Sequence, residues 1–329
     1  SPAAAAVTLK FATSSGSGDL NFDVNLDSNT ADQLVVQGDV TGGTTFLQAT
    51  YTGAGSYTGD GPGAGIAVVS VTGNTAPGDF QLYENFLGFP LVVGAFEYTL
   101  SLESDNTWYL QSTVRGGAVA AIAAGGMVSN LGTAFLGTYH ERTGEQQRNP
   151  NSNIWGRVIG QFGSESVSAS GIGDIESSGS TTGLQAGLDL VADENASGGR
   201  TRLGLYGGLG WLNHDVTTTD SGGASGNNEG EGKVAGLYAS HSQNGFYADA
   251  VVQKQWLDIS VSGSGLTAST DATGWLASLE MGQDIALTDH SSLEPQAQFI
   301  IGSNSTDLVI ATDSDRWSWS DDDVMLGRI

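Results

Sequence analysis

From about residue 183 onward, apolar and polar positions alternate. Leu184, Ala186, Leu188 and Leu190 interleave with Gln185, Gly187 and Asp189, and Leu203, Leu205, Leu209 and Trp211 interleave with Arg202, Gly204, Tyr206, Gly208 and Gly210. Trp275, Ala277, Leu279, Met281 and Ile285 are set against Ser278, Glu280, Gly282 and Asp284, and Leu293, Ala297, Phe299 and Ile301 against Glu294, Gln296 and Gln298. A period of two predicts strands with one apolar face and one face of amides, acids and glycine. The stretch "FYADAVVQKQWLDISV" keeps the rhythm less cleanly, with Lys254 and Asp258 on one face and Asp249, Gln253 and Gln255 on the other.

Residues 1–113 follow another rhythm. Short β-branched runs ("TLKFATSS", "DQLVVQGDV", "GIAVVSVTG", "FEYTLSLES", "TWYLQS") are broken roughly every 8 to 12 residues by Gly, Asn and Asp, an all-β cadence without room for long helices. In "DLNFDVNLD", Leu20, Phe22, Val24 and Leu26 alternate with Asn21, Asp23 and Asn25, so one strand face is wet. Asp19, Asp23 and Asp27 read as solvated acids.

Between the two regimes lie residues 114–148. From Gly116 to Tyr139 the chain crosses 24 residues without a formal charge. Val119, Ile122, Val128, Leu131, Phe135 and Leu136 are spaced as on a loosely amphipathic helix. Six alanines in the stretch favour a helix and six glycines oppose it. A helix over 117–143 would be about 40 Å long, enough to cross a membrane. A pore helix, a lipid-facing anchor and a soluble surface helix all remain open, with Asn130 and the glycine breaks weighing against the anchor.

Half-polar strands fit two architectures, a soluble sandwich with its polar face wet or a transmembrane barrel with its apolar face in lipid. Short connections ("SQNG" at 242–245, "TDHS" at 288–291) alternate with long polar ones such as 215–231, and strands of about ten residues match a tilted bilayer crossing. These features favour the barrel.

Charge and composition narrow the function. With 36 acidic against 11 basic residues the formal charge is −25, which excludes attraction to nucleic acid or to an anionic membrane surface. The absence of cysteine removes disulfides, thiolate metal sites and cysteine nucleophiles, and it suits an exported bacterial chain. "SPAAAAVTLK" lacks the basic and leucine-rich regions of a signal peptide. His140-Glu141 opens a metalloprotease-like pair, but position 144 is Gly where a second His is required. His214, His241 and His290 sit in separate segments, and no G-x-S-x-G elbow is present. The acids Asp313, Asp315, Asp321, Asp322 and Asp323 lack calcium-loop spacing. No catalytic residue, cofactor or metal is expected.

The order of "DQLVVQGDVTGGTTFLQ", "GAFEYTLSLESDNTWYL", the Ala/Gly stretch ending "YHERTGE", "NIWGRVIGQFG", "LGLYGGLGW", "GFYADAVVQKQW" and "LEPQAQF" resembles the C-terminal part of a type Va autotransporter over nearly the whole chain. The resemblance implies an all-β protein in three parts. Residues 1–113 would end a right-handed parallel β-helical passenger in an autochaperone cap near Trp108, Tyr109 and Leu110. Residues 114–148 would form a linker helix in the pore, with Val119, Ile122, Asn130 and Phe135 on it. Residues 149–329 would be an antiparallel barrel whose small lumen-facing residues include Gly204, Gly208 and Gly210.

It further implies secretion and surface display of the chain's own passenger, outer-membrane location in a Gram-negative bacterium, help from periplasmic chaperones and the barrel-assembly machinery, and a monomer. The family's barrel has twelve strands and a terminal aromatic; here about seven strands and the start of an eighth ("DVMLGRI") precede Ile329. Unpaired edge groups cost several kcal/mol each in lipid, so the resemblance implies a truncated barrel. Relatives that cut themselves use an asparagine pair, and Ser129-Asn130 offers one asparagine. A soluble secreted β-solenoid adhesin with a sandwich domain, or a porin-like pore without a plug, are the alternatives.

Overall fold

A computed structural model describes residues 8–11, 14–15, 17–59, 61–87, 90–142, 152–169, 171–218, 223–264, 266–288, 290–307, 309–310, 316–317 and 322–329. The N-terminal part is a parallel β-helix. Thr8–Phe11, Gln33–Val36 and Ile66–Val71 stack in one parallel ladder, and Gly18–Asn25, Thr45–Thr52 and Phe80–Leu82 in a second. A short third face pairs Ser14–Ser15 with Val40–Thr41. Alternate residues of successive strands (Phe22 and Val24, Leu34 and Val36, Val69 and Val71) point into one core.

The coil then ends in an antiparallel cap. Thr107–Val114 pairs with Ile66–Val71 on one side and with Phe96–Leu102 on the other, and Leu91–Val93 forms the outer edge. The reversal before Thr107 is set by Asn106 at φ 59° and by Asp105, whose carboxylate accepts from Thr107 N at 3.0 Å. Several acids serve turns in the same way: Asp27 accepts from Ala54 N, Asp39 from Asn74 N, and Asp79 from Ala76 N, at 2.7–2.8 Å.

The single helix expected over 117–143 is two helices. α1 (Gly116–Ala124) and α2 (Met127–Leu136) meet at a 41° bend on Gly125-Gly126, where two residues without a Cβ leave the helix least stable. Gly137, at φ 59°, ends α2, and residues 139–142 make a further helical turn. Residues 143–148 of the expected linker lie outside the described residues.

Eight antiparallel strands follow in sequential order: β1 (Ile154–Ala169), β2 (Gly173–Glu194), β3 (Arg200–Thr218), β4 (Ser225–Gln243), β5 (Phe246–Gly263), β6 (Leu266–Gln283), β7 (Gln296–Thr306) and β8 (Asp322–Arg328). β1 and β8 stand at the two ends of the sheet, each with one ladder partner among the described residues. The sheet curls around α1 and α2, which lie buried against β2 to β6.

Three expectations about connections and faces change. The long loop expected over 215–231 is mostly ladder, since Thr217 pairs with Ser225 and Asp215 with Asn227. "TDHS" turns a separate small hairpin, Ile285–Thr288 with Ser291–Leu293, so Ile285 and Leu293 do not extend β6 and β7. β5, discounted for its charges, alternates cleanly, with Asp249, Gln253 and Gln255 buried and Lys254 and Asp258 exposed.

Candidate functional site

The sheet's burial pattern is the inverse of a soluble sandwich. Apolar side chains on its outer face are exposed: Val158 is 80% exposed and Leu237 62%, with Leu184, Leu209 and Leu279 alongside. The inner face, buried against the helices, carries Gln185, Asn228, Asp249, Gln253, Gln255, Glu280 and Gln298. Water on the outside would oppose this arrangement, whereas lipid outside and a polar lumen inside account for it.

The outer face also has a boundary. On β3 apolar residues run from Leu203 to Trp211 and give way to Asn213 and Asp215; on β5 they reach Trp256 and give way to Asp258 and Ser260. Nine to eleven residues span a bilayer at a tilt, so the strands, 16 to 22 residues long from β1 to β6, are twice the expected ten because their far halves project beyond it.

Trp211, Trp256 and Trp275 mark the upper rim, each half exposed. Along the ladder Trp211 is level with Glu231, Asp258 and Asp271, so Trp256 lies two residues lower and Trp275 four. Four residues over three strand spacings correspond to a tilt of about 40°, the inclination of membrane barrels. A level aromatic rim on tilted strands must cross the ladder in this way.

Inside, the wall grips the helices chiefly by their main chain. Gly116 N donates to Ser264 Oγ at 2.9 Å, Asn228 Nδ2 donates to Ala120 O at 2.8 Å, and Gln253 Nε2 to Gly132 O at 2.7 Å. Phe135 O accepts from Gln185 Nε2 at 2.9 Å and from Arg157 Nη2 at 2.7 Å, and Gly137 O accepts from Gln298 Nε2 at 2.9 Å. The last carbonyls of α2 are thereby capped by the wall, and Arg157 adds positive charge at the helix's negative end.

Glycines of the wall make room for the larger helix side chains. A Cβ on Gly183, Gly208 or Gly210 would collide with the Phe135 ring, and one on Gly210 or Gly232 with Leu131. Further glycines receive rings from the facing strand: Trp155 lies over Gly187, Tyr206 over Gly236, Tyr238 over Gly204 and Tyr247 over Gly282, each directly opposite in register.

At the end away from the β-helix, the turn 139–142 is pinned by side chains. Tyr139 stacks on Tyr247 with centroids 4.5 Å apart, and its N donates to Glu280 Oε2 at 2.9 Å. His140 pairs with Glu294. Arg142 pairs with Asp249, both nearly fully buried, and lies 5.0 Å from the Tyr238 ring centroid.

The residues singled out from sequence fall as follows. Trp108 is buried in the cap, edge-to-face with Phe80 at 5.5 Å and donating from Nε1 to Thr75 Oγ1 at 3.2 Å; Leu110 is fully buried and Tyr109 half-buried. Val119 of α1 and Phe135 of α2 are fully buried, Ile122 is half-buried, and Asn130 donates to Glu165 Oε1 at 2.8 Å. Gly208 and Gly210 abut Phe135, whereas Gly204 abuts Tyr238. Sequence reasoning missed Gly183, Gly232, Arg142, Arg157 and the wall amides. Asp313, Asp315 and Asp321 lie outside the described residues, and among the described residues no three His, Asp or Glu are grouped to hold a metal. Among the described residues no single helix is long and apolar enough to cross a membrane.

A tilted antiparallel sheet with a lipid-facing band, a polar lumen and the chain's own helices inside defines an outer-membrane β-domain joined to the end of a β-helix. The chain belongs to the autotransporter family: residues 154–328 match the autotransporter beta-domain and residues 4–100 match the type 1 autochaperone domain. It is similar to the BrkA autotransporter of Bordetella pertussis (28% identical, covering 100% of this chain and 32% of that protein) and to the autotransporter adhesin AIDA-I of Escherichia coli (26%, covering 73% and 19%). It is also similar to the uncharacterized protein YuaQ of Escherichia coli K12 (26%, covering 85% and 23%). The chain thus spans a third or less of each of these relatives. Among solved structures, the AIDA-I transport unit aligns with a TM-score of 0.43 at 19% identity, over 58% of this chain and 63% of that one, and the BrkA beta domain with 0.42 at 24%, over 53% and 67%.

Proposed function

We propose that this chain is the secretion unit of a self-exporting protein in the outer membrane of a Gram-negative bacterium. The sheet contributes to a barrel inserted with the help of periplasmic chaperones and the barrel-assembly machinery, and it works as a monomer. The passenger crosses the lumen, residues 116–142 remain inside as its tail, and the cap around Trp108, Tyr109 and Leu110 folds outside. Folding on one side removes the return path, so movement is biased outward without a nucleotide. Gly204, Gly208 and Gly210 keep the lumen wide enough for the tail. No catalytic step is assigned to the chain.

The observation that carries this reading is the inverted sheet: Leu237 62% exposed on the outer face of β4 and Gln253 2% exposed on the inner face of β5. The test is expression of the full-length protein in a Gram-negative host. The sheet is expected to stay in the membrane fraction after an alkaline wash, with the β-helix removable by protease added to intact cells. Trp108→Asp should slow surface arrival while the sheet still inserts. Recovery of the sheet in the soluble fraction would overturn the proposal.

A further inference from the structure

We infer that the lumen wall carries a binding site for the main chain of translocating polypeptide, built from Asn228, Gln185, Gln253 and Gln298. The inference rests on the secretion reading above and names what the lumen recognises.

Between Gly116 and Gly137 the wall's hydrogen bonds go to backbone atoms, with the amides of these four residues reaching the carbonyls of Ala120, Phe135, Gly132 and Gly137 at 2.7–2.9 Å. Against them stands, among the described residues, one bond to a side chain of this stretch, Asn130 to Glu165. Only part of the pattern is helix capping. Ala120 and Gly132 have their i+4 residues, Ala124 and Leu136, inside the same helices, so these carbonyls already have intrahelical partners. The wall reaches a second lone pair there.

The four residues stand on β4, β2, β5 and β7 and are each at least nine-tenths buried. They form a track along the lumen, meeting the segment successively at residues 120, 132, 135 and 137. A primary amide offers two donors and one acceptor and can turn to face either a C=O or an N–H. It therefore serves an extended strand or hairpin as readily as a helix, and it does so for any sequence, since every residue brings the same main-chain groups. A chain in a lumen narrow enough to be filled by two short helices loses water from those groups, and a buried backbone group without a partner is unfavourable. The amide track replaces that water, which makes the ligand class unfolded polypeptide of arbitrary sequence.

The test is the triple variant Gln185→Met, Gln253→Met, Gln298→Met, which keeps side-chain volume and removes the amides. Surface arrival is followed by pulse-chase with external protease, in the full-length protein carrying its own passenger and in one carrying a passenger of unrelated sequence. About tenfold slower arrival is expected for both, the size that follows from losing a few weak hydrogen bonds, with the sheet inserted as in the unmodified protein. Unchanged arrival with an inserted sheet overturns the site and leaves secretion standing, as does slowing confined to one passenger. Failure of the unmodified protein to display either passenger overturns the secretion reading itself.

Should the triple variant not insert, a photo-crosslinking residue at position 253 of an otherwise unmodified protein gives the answer. Crosslinks to a stalled passenger of either sequence support the site, and their absence from both overturns it.

Discussion

The ring of Phe135 occupies the space that a side chain on Gly208 would need, with Gly183 and Gly210 bounding the same ring. α2 is therefore seated in the sheet by a lock of one aromatic and three glycines. Gly208→Ala should unseat it at a cost of about 1–3 kcal/mol, and Phe135→Ala should cost about 3–5 kcal/mol by leaving the socket empty. Because both act on one contact, Gly208→Ala combined with Phe135→Leu should cost less than the sum of its parts, by about 0.5–3 kcal/mol. The temperature at which the inserted protein loses its compact gel migration reports this, and strict additivity would show that the contact carries no energy.

Arg142 and Asp249 are 2% and 3% exposed at the side chain and pair across from turn to wall. Removing one partner strands the other charge in a place without water. Arg142→Met should lower stability by about 3–5 kcal/mol, and adding Asp249→Leu should recover most of the loss. Urea unfolding in detergent micelles measures both; a double variant as unstable as the single would mean that Arg142 acts through its packing on Tyr238 instead.

Much of this was legible in the sequence because strands declare themselves by period. Leu184 and Gln185 predict a two-faced strand whatever surrounds it. Period two does not say which face is wet, and the outer face of β5 misled for that reason. Lys254 broke its apolar run, yet Lys254 stands two residues below Trp256 and opposite Trp275, close enough to the rim for a long stem to lie along apolar surface while its ammonium reaches water. The stretch 215–231 read as loop because Asp, Gly and Asn have low strand preference, but pairing with both neighbours overrides a propensity worth about 1 kcal/mol at most. The grip of Gln253 on Gly132 O, between residues 121 positions apart, has no local signature. Gly183 and Gly232 could have been found, since they continue the glycine alternation that drew attention to Gly208 and Gly210.

Leu237 points outward from the middle of the apolar band on β4, whereas Ser166 points outward from the projecting half of β1. If lipid surrounds the band alone, the same charge has different consequences at the two positions. Leu237→Arg should cost about 2–4 kcal/mol of folding free energy in vesicles, and Ser166→Arg should stay within about 0.5 kcal/mol. Folding titrations into vesicles of one lipid separate them. Equal effects would mean that the exposed leucines face water or another protein.

Tyr98 closes the cap by a reciprocal pair with Ser56: its hydroxyl donates to Ser56 O and accepts from Ser56 N, both at 2.9 Å. The side chain is fully buried, and burial pushes its ionisation above the usual value of 10.0, with the charge of Asp27 acting in the same direction against the Ser56 hydrogen bonds. A raised folded pKa means that the folded cap holds the phenol proton more tightly than the unfolded chain does. Its contribution is then complete below about pH 10 and is lost as pH climbs through the raised value. Melting of the full chain at pH 8 and pH 11 should show the cap weakening at the higher pH. Tyr109, whose hydrogen bond to Asp105 also raises its pKa, adds to the same alkaline limb. Tyr98→Phe should lower stability at pH 8 by about 1 kcal/mol or more, since Ser56 N loses its acceptor while Ser56 O keeps only the Ser112 hydroxyl, and should flatten the fall between the two pH values. An unchanged fall in Tyr98→Phe would assign the alkaline limb to other groups.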